Sequence, residues 1–353
     1  MKKFLFLGAA LVALALSTGA SASTITQVMH GLDNPKGLAF GPEGGLYVAE
    51  AGRGGPVSAL CATGPDLAVR CYGATGAISR YWHGTQARVV TGLPSLETPT
   101  FAGPAAGPQH ISFHGRGGMY VTTGFGGPPS VRDSIFAGLG FGLLLKIEPS
   151  GVMRAVADIG AYEATQNPDG LQLDTNAYGV LALPGHQLVT DAGGNSLLDV
   201  RVDGSISTVT TFPKVLGAFG PTDSVPTDVV LGPDGAYYVS QLSGVPFTPG
   251  SALVYRVTSD GSKSVYAAGL TQVTDLAFGS DGSLYVLQHA TTQFLGGPGS
   301  IVRIAPGGGA RTTIDTQGRL SHPAGLVIGS DGALYVANFS TAPNNGEVLK
   351  IVP

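Results

Sequence analysis

The sequence predicts an all-β fold of six similar units, because one short pattern recurs six times along the chain. Each copy has a short apolar strand, a turn rich in Gly, Pro or Asp, and a second apolar strand. The second strands are marked by Tyr47, Tyr120, Leu188, Tyr238, Tyr285 and Tyr335, at intervals of 73, 68, 50, 47 and 50 residues. Repeats of this length and composition are typical of a β-propeller, so we expect six four-stranded blades.

Each unit continues with two more strands that complete a four-stranded blade. Examples are Gly76–Arg80 followed by Arg88–Thr91, and Leu253–Val257 followed by Ser264–Ala267. Apolar and polar residues alternate in these segments, and Asp-Gly pairs begin at positions 203, 234, 260, 281 and 331. This pattern is typical of β-hairpins, so we interpret the Asp-Gly pairs as turns at blade corners and not as calcium ligands.

The two ends of the chain predict how the ring closes. The sixth unit stops after three strands, at Glu347–Val352, and therefore lacks a fourth strand. Ile25–Met29 has strand character and is followed by Gly31-Leu32, as the fourth strands of other units are. We expect this N-terminal strand to complete the last blade and to remove its exposed edge.

The first 22 residues have the features of a secretory signal peptide. A basic start at Lys2-Lys3 precedes an apolar run from Phe4 to Leu16 and the small residues Ala20–Ala22. The run of 13 residues is shorter than the ~20 that a membrane span needs. We therefore expect a leader at 1–22, one propeller domain at 23–353, no membrane span, and a secreted or periplasmic protein that is a monomer.

Composition and cysteine spacing narrow the classes of partner. The net charge is −4 and the Lys and Arg residues are scattered, so no basic stripe is present and nucleic-acid binding is not expected. Cys61 and Cys71 lie ten residues apart in one Gly- and Pro-rich insertion. In an exported protein this spacing predicts a disulfide, with two free thiols as the alternative.

Polar residues recur at the strand ends that a propeller directs toward its central channel. Converging polar groups can hold a cation or orient a small molecule; alternatively, they satisfy backbone groups and water in the channel. The candidate ligand-binding residues are Glu50, His110, Asn176, Asp191, Asn195, Asp228, Gln241, Asp275, His289, His322 and Asn338. Imidazoles combined with carboxylates suit a divalent transition metal, and we assign Glu50, His110, Asp191 and His289 as its candidate ligands.

Two long segments interrupt the repeat after the first unit's insertion at 53–75. Residues 124–142 are rich in Gly and Pro, and residues 157–176 form the most acidic stretch of a weakly charged chain. We expect both to be loops, and long loops inside a compact domain are often functional.

The motifs resemble those of the ScyD/ScyE family, which is named for the scytonemin pigment cluster of cyanobacteria. The resemblance rests on residues 31–55, Asn167–Gly170, Asp191–Asn195, Val245–Phe247 and Leu253–Arg256, and it spans nearly the whole chain after the leader. Where the family has proline in an Asn-x-Tyr-Gly motif, this chain has Ala177. The resemblance implies an exported, NHL-type six-bladed propeller, and relatives in the pigment cluster are associated with late extracytoplasmic steps on an indole–phenol precursor.

Two functional hypotheses follow. The first is a binding module whose loops around the channel hold a small molecule or an extracellular protein; it is favoured because the nucleophile-elbow, phosphate-loop and EF-hand motifs are missing from the sequence. The second is a metal-assisted extracytoplasmic enzyme that couples phenols or indoles, or hydrolyses lactones.

Overall fold

Six four-stranded antiparallel sheets form a closed ring, which confirms the predicted propeller. The computed structural model describes residues 22–64, 67–100 and 104–353. The predicted leader, apart from its last residue, lies outside the described residues. In the described residues, no helix is long and apolar enough to cross a membrane.

The strands of each blade run from the channel outward in chain order. Blade 1 comprises Pro35–Phe40, Leu46–Glu50, Val69–Trp82 and Thr85–Glu97, with a short fifth strand Cys61–Thr63. Blade 2 comprises Pro108–Phe113, Met119–Thr123, Leu143–Ile147 and Met153–Asp158. Blade 3 comprises Ala177–Leu183, His186–Asp191, Ser196–Arg201 and Ile206–Thr211. Blade 4 comprises Pro226–Leu231, Tyr237–Gln241, Ala252–Val257 and Lys263–Leu270. Blade 5 comprises Val273–Phe278, Leu284–Gln288, Ser300–Ile304 and Arg311–Thr313. Blade 6 comprises Gly325–Ile328, Leu334–Asn338 and Gly346–Val352, with the N-terminal strand Thr24–Leu32 as its outermost strand.

The N-terminal strand closes the ring as predicted. Thr24 pairs with Val352 and Leu32 with Gly346, in antiparallel register. Met29 and Leu32 of this strand are fully buried in the core between blades 6 and 1. Since Thr24–Leu32 and Gly346–Val352 belong to one sheet, opening the ring between blades 6 and 1 requires breaking that sheet or its packing.

The Asp-Gly pairs form blade corners, as the sequence predicted. At one of them, the side chain of Asp281 accepts a hydrogen bond of 3.0 Å from the backbone N–H of Ser283, and Gly282 has a φ of 79°. Glycine adopts this left-handed conformation without steric cost. The same acid accepts a bond of 2.6 Å from Arg303 on the neighbouring strand, so this corner also ties two strands together.

The two long insertions contain helices that the sequence did not predict. Pro129–Ile135 lies within 124–142, and Ile159–Gln166 lies within 157–176. Asp158 caps the second helix by accepting a 2.8 Å bond from the N–H of Ala161, a standard N-cap arrangement. A further hairpin of Val215–Gly217 and Gly220–Thr222 connects blades 3 and 4. Short, weakly amphipathic segments give little periodic signal, so the sequence predicts loops where these two helices form.

The Cys61–Cys71 disulfide is formed, which confirms the predicted pairing. It joins the short fifth strand to the third strand of blade 1, where Cys71 is fully buried. Next to it, Phe125, Phe136 and Phe141 pack with ring centroids 5.9–6.1 Å apart. Because Tyr72 of blade 1 packs on Phe141, the insertions within blades 1 and 2 share one small aromatic core.

Candidate functional site

A waist divides the central channel at one equivalent position of the inner strands, the third residue in blades 1–5 and the first residue in blade 6. From blade 1 to blade 6, this position holds Gly37, His110, Gly179, Asp228, Asp275 and Gly325. His110 projects toward the two acids: its Nε2 lies 3.5 Å from Oδ1 of Asp228 and 3.7 Å from Oδ2 of Asp275. All three residues are buried.

Glycine is needed beside the histidine for reasons of space. A Cβ on Gly37 would lie 2.3 Å from Cδ2 and 2.9 Å from Cα of His110, and the second of these is a backbone atom. A Cβ on Gly179 would likewise lie 2.9 Å from Cα of Asp228. The imidazole of His110 therefore occupies room that Gly37 leaves, and Gly179 admits the backbone of Asp228.

Backbone amides of the next blade hold the carboxylates in place. Asp228 accepts a 3.1 Å bond through Oδ2 from the N–H of Leu276, and Asp275 accepts a 2.8 Å bond through Oδ2 from the N–H of Leu326. Oδ1 of Asp228 and both ring nitrogens of His110 are buried and have no hydrogen-bond partner among the described residues. The cluster thus presents donor and acceptor atoms that the protein itself leaves unsatisfied.

Charges at the waist shift the pKa values of both His110 and Asp228. Burial opposes a charge on His110, but the carboxylates of Asp275 and Asp228 outweigh burial and raise the pKa of the imidazole to about 9. Burial and the charge of Asp275 raise the pKa of Asp228 well above its usual value. Burial also raises the pKa of Tyr178, with both acids adding to the effect, so the phenol stays neutral at ordinary pH.

Above the waist, a cavity of about 280 Å³ opens at the face that carries the long insertions; we call it the mouth cavity. Residues of all six blades or their connections line it. Its polar lining comprises Lys36, Arg70, Gln109, Asn176, Tyr178, Thr274, His289 and Ser340, and its apolar lining comprises Pro104, Ala105, Ala106, Phe125, Leu242, Phe247, Leu295 and Ala324, with Gly126 completing the wall.

Two buried basic side chains of the mouth cavity have shifted pKa values. Burial lowers the pKa of Lys36 to about 8, although the charge of Glu97 opposes the shift. Nζ of Lys36 donates a 3.0 Å bond to the backbone oxygen of Ser340. Burial and the neighbouring His322 and Lys36 lower the pKa of His289 to about 3, so its imidazole is neutral. The cavity therefore contains a lysine whose pKa is close to neutral pH and an imidazole that is uncharged.

Below the waist, a second cavity of about 390 Å³ opens at the opposite face; we call it the base cavity. The later residues of all six inner strands line it, and His110, Asp228 and Asp275 form its inner end. The rest of its wall is mainly apolar, with Ser112 as an exception. The waist cluster is thus reached from the base and not from the mouth.

Two of the predicted metal ligands are engaged elsewhere. Glu50 is fully buried and accepts bonds from Arg88 at 2.7 and 3.0 Å, from Oγ of Ser79 at 2.6 Å and from the N–H of Asp33 at 2.7 Å. Asp191 accepts a bond of 2.6 Å from the N–H of Asn176 and longer bonds from two glycine amides of its own turn. Both acids lie at the end of a second strand, behind the inner strand, and they clamp loops.

The remaining candidates divide between the mouth cavity and loop anchoring. His289 and Asn176 line the mouth cavity, and His322 packs on His289 with ring centroids 5.1 Å apart. Asn195 donates a 2.8 Å bond to Asp169 and accepts one of 3.0 Å from the N–H of Val225, so it joins two loops.

Gln241 and Asn338 are fully buried and bonded to neighbouring side chains. A ligand role for the predicted residues of the mouth cavity stays a prediction.

The set of residues that can hold a metal differs from the predicted one. Within the described residues, the group of His, Cys, Asp and Glu ligand atoms lying within 4.8 Å of one another is His110, Asp228 and Asp275. It keeps His110 from the predicted set, and it recruits the two acids that had been predicted only as general ligand residues. Glu50, Asp191 and His289 are not part of this group.

Sequence reasoning missed six of the eight polar residues of the mouth cavity, among them Arg70 and Ser340. The other four, Lys36, Gln109, Tyr178 and Thr274, each precede the waist position by one residue on their inner strands. The inner strands carry register irregularities here, which direct consecutive side chains toward the channel and the mouth. Reading the position before each waist residue would have identified these four.

No protein-family model and no curated protein sequence matches the chain. Solved structures match it in fold. A structural-genomics protein of unknown function from Bacteroides thetaiotaomicron has a TM-score of 0.59 at 9% identity, covering 94% of this chain and 76% of that one. A streptogramin B lyase has a TM-score of 0.54 at 14% identity, covering 94% and 98%. Virginiamycin B lyase from Staphylococcus aureus has a TM-score of 0.50 at 14% identity, covering 94% and 99%. These likenesses support the propeller fold and nothing finer.

Proposed function

We propose that the protein is an exported binding module that holds a small organic molecule in the mouth cavity. The observation that carries the proposal is that one cavity of about 280 Å³ is lined from all six blades. Ligand pockets are typically concave and mostly apolar, with a few polar groups that fix orientation. The mouth cavity has this composition and lies close to the lower end of the usual volume range of ~300–1,000 Å³.

The polar lining favours a planar molecule with an anionic or strongly accepting group. Lys36 supplies the cation, and Gln109 and Tyr178 of the next two blades supply hydrogen-bonding groups. Phe125 and Phe247 supply aromatic surface on the wall. An aromatic carboxylate or phenol of modest size satisfies both requirements.

The motifs of the sequence extend this proposal to family and location. Membership of the ScyD/ScyE family would fit a ligand of phenol or indole type, and the leader at 1–22 would place a monomeric protein outside the cytoplasm. The disulfide supports the same location, since such bonds persist in oxidising compartments.

A binding experiment with defined probes tests the proposal. Indole-3-acetate and 4-hydroxyphenylacetate would be titrated into the purified protein by calorimetry and by thermal shift. We expect at least one of them to bind, and Lys36→Met to weaken that binding at least about tenfold. Lys350→Met is the matched control, because Lys350 pairs with Asp331 at a blade corner and should leave affinity unchanged. Absence of binding by both probes, or equal affinity in Lys36→Met, would contradict the proposal.

A metal-assisted enzyme is the second candidate function, with phenols, indoles or lactones as substrates. It is supported by the imidazole and carboxylate atoms that lack hydrogen-bond partners at the waist. Turnover of a simple aryl lactone by metal-supplemented protein, lost in His110→Gln, would favour it over the binding module.

A further inference from the structure

We propose that His110, Asp228 and Asp275 form a binding site for one divalent transition-metal ion at the waist of the channel, open to the base cavity. This site lies beyond the proposed ligand site, because the mouth cavity does not include any of the three residues. Each ligand comes from a different blade, namely blades 2, 4 and 5.

The spacing of the three side chains suits chelation. Two ligand atoms that are each about 2.1 Å from one ion, at roughly 90–110° to each other, lie about 3.0–3.4 Å apart. Nε2 of His110 lies 3.5 and 3.7 Å from the nearest carboxylate oxygens, so shifts of a few tenths of an ångström are sufficient. The separations are too long for good hydrogen bonds, which leaves room for an ion between the three atoms.

Unpaired atoms provide the second, independent observation. Asp228 is 1% exposed, yet its Oδ1, which faces His110, has no hydrogen-bond partner among the described residues. The other oxygen of this carboxylate is bonded to the N–H of Leu276, which fixes the orientation of the group. Such support of a ligand by a neighbouring backbone group is typical of metal sites. A bound cation would give this oxygen a direct partner, which the imidazole nitrogen 3.5 Å away does not.

The donor set indicates the class of metal. One imidazole with two carboxylates suits Zn²⁺, Mn²⁺, Fe²⁺ or Co²⁺ better than Ca²⁺ or Mg²⁺, which prefer oxygen ligands alone. Three protein ligands leave at least one coordination position open, as in catalytic zinc sites. That position would face the base cavity, where the six inner strands surround a space of about 390 Å³.

Metal titration with paired variants tests the site. Chelator-treated protein would be titrated with Zn²⁺ by calorimetry and with Co²⁺ by visible absorption, where an imidazole–carboxylate set gives d–d bands. We expect one ion per chain, and a loss of affinity of at least about 100-fold in His110→Gln and in Asp228→Asn.

The outer face of blade 3 offers matched controls. His186 Nδ1 lies 2.8 Å from Oδ1 of Asp199, which is also a His–Asp pair, but no third ligand is grouped with it in the described residues. His186→Gln and Asp199→Asn should leave the affinity unchanged. Failure of folded wild-type protein to bind either ion would overturn the proposal, as would an equal loss in the control variants.

Two further readouts keep the outcome clear. If His110→Gln does not fold, X-ray absorption of the zinc-loaded wild type decides: one imidazole with oxygen ligands is expected, and none or several would refute the site. Binding of the aromatic probes should persist in His110→Gln, and zinc binding should persist in Lys36→Met. Failure of the metal site is thereby distinguishable from failure of the ligand site.

Discussion

Replacing Arg88 by Met should destabilise the protein strongly, because it leaves a buried carboxylate without its partner. Arg88 contacts Glu50 at 2.7 and 3.0 Å and Asp33 at 3.0 Å, while the side chains of Glu50 and Asp33 are 0% and 5% exposed. Removing one partner of a buried ion pair typically costs about 3–5 kcal/mol. The side chain of Arg88 is itself 41% exposed, so water screens part of the interaction and we expect a value near about 3 kcal/mol.

The loss would be measured as the free energy of unfolding in urea, with and without chelator. Arg201→Met is the matched control, because Arg201 is 58% exposed and its partner Asp199 keeps His186; a loss under about 1 kcal/mol is expected there. A loss of less than about 1 kcal/mol in Arg88→Met would refute the account of Glu50 as a clamp. A loss that disappears in chelator would instead restore Glu50 as a metal ligand.

Three further outcomes follow from other parts of the structure. The pKa of His289 is about 3 in the folded state and 6.5 for an ordinary imidazole, so unfolding takes up a proton at any pH between these values. The free energy of unfolding should therefore fall by about 1.4 kcal/mol per pH unit as the pH drops below about 6.5. His289→Gln should remove this contribution from acid-unfolding curves. Met29→Ala should lower the unfolding free energy by about 2–5 kcal/mol in thermal or urea melts, since Met29 is fully buried in the ring-closing strand, whereas the exposed Thr26→Ala should be nearly neutral. Replacing Cys61 and Cys71 by Ser should cost up to about 3 kcal/mol, as measured against the oxidised wild type, because the bond closes a loop with a sequence separation of 10.

The ring and its closure could be predicted because their signals are local and repeated. Asp-Gly corners, alternating strands and the unpaired segment at Ile25–Met29 each depend on short stretches of chain. The same repeat predicts channel positions for His110, Asp228 and Asp275, and all three line the base cavity. The sequence could not select the metal ligands among these channel candidates. Which side of a strand end a side chain occupies depends on partners that are distant in sequence.

Glu50 illustrates this limit. It stands at the end of a second strand in the same way as other channel candidates, and only the structure brings Arg88 onto it from the outermost strand of its blade. Lys36 was overlooked for a different reason: it stands one residue before a waist position, and only the waist positions and the strand ends were considered. Its burial beside the mouth cavity results from the irregular register between the first two strands of blade 1.

Six similar blades produce an asymmetric channel through single residues at one equivalent position. Three glycines at that position do not contribute side chains, and the clearance beside Gly37 admits the imidazole of His110. The two acids stand on adjacent blades, 4 and 5, and each is oriented by the amide of the blade that follows it. Because the backbone of every blade is alike, a polar cluster can form here without altering the framework. The waist therefore separates two cavities of different chemistry: an apolar base that ends in unsatisfied polar atoms, and a mouth lined by polar and aromatic groups.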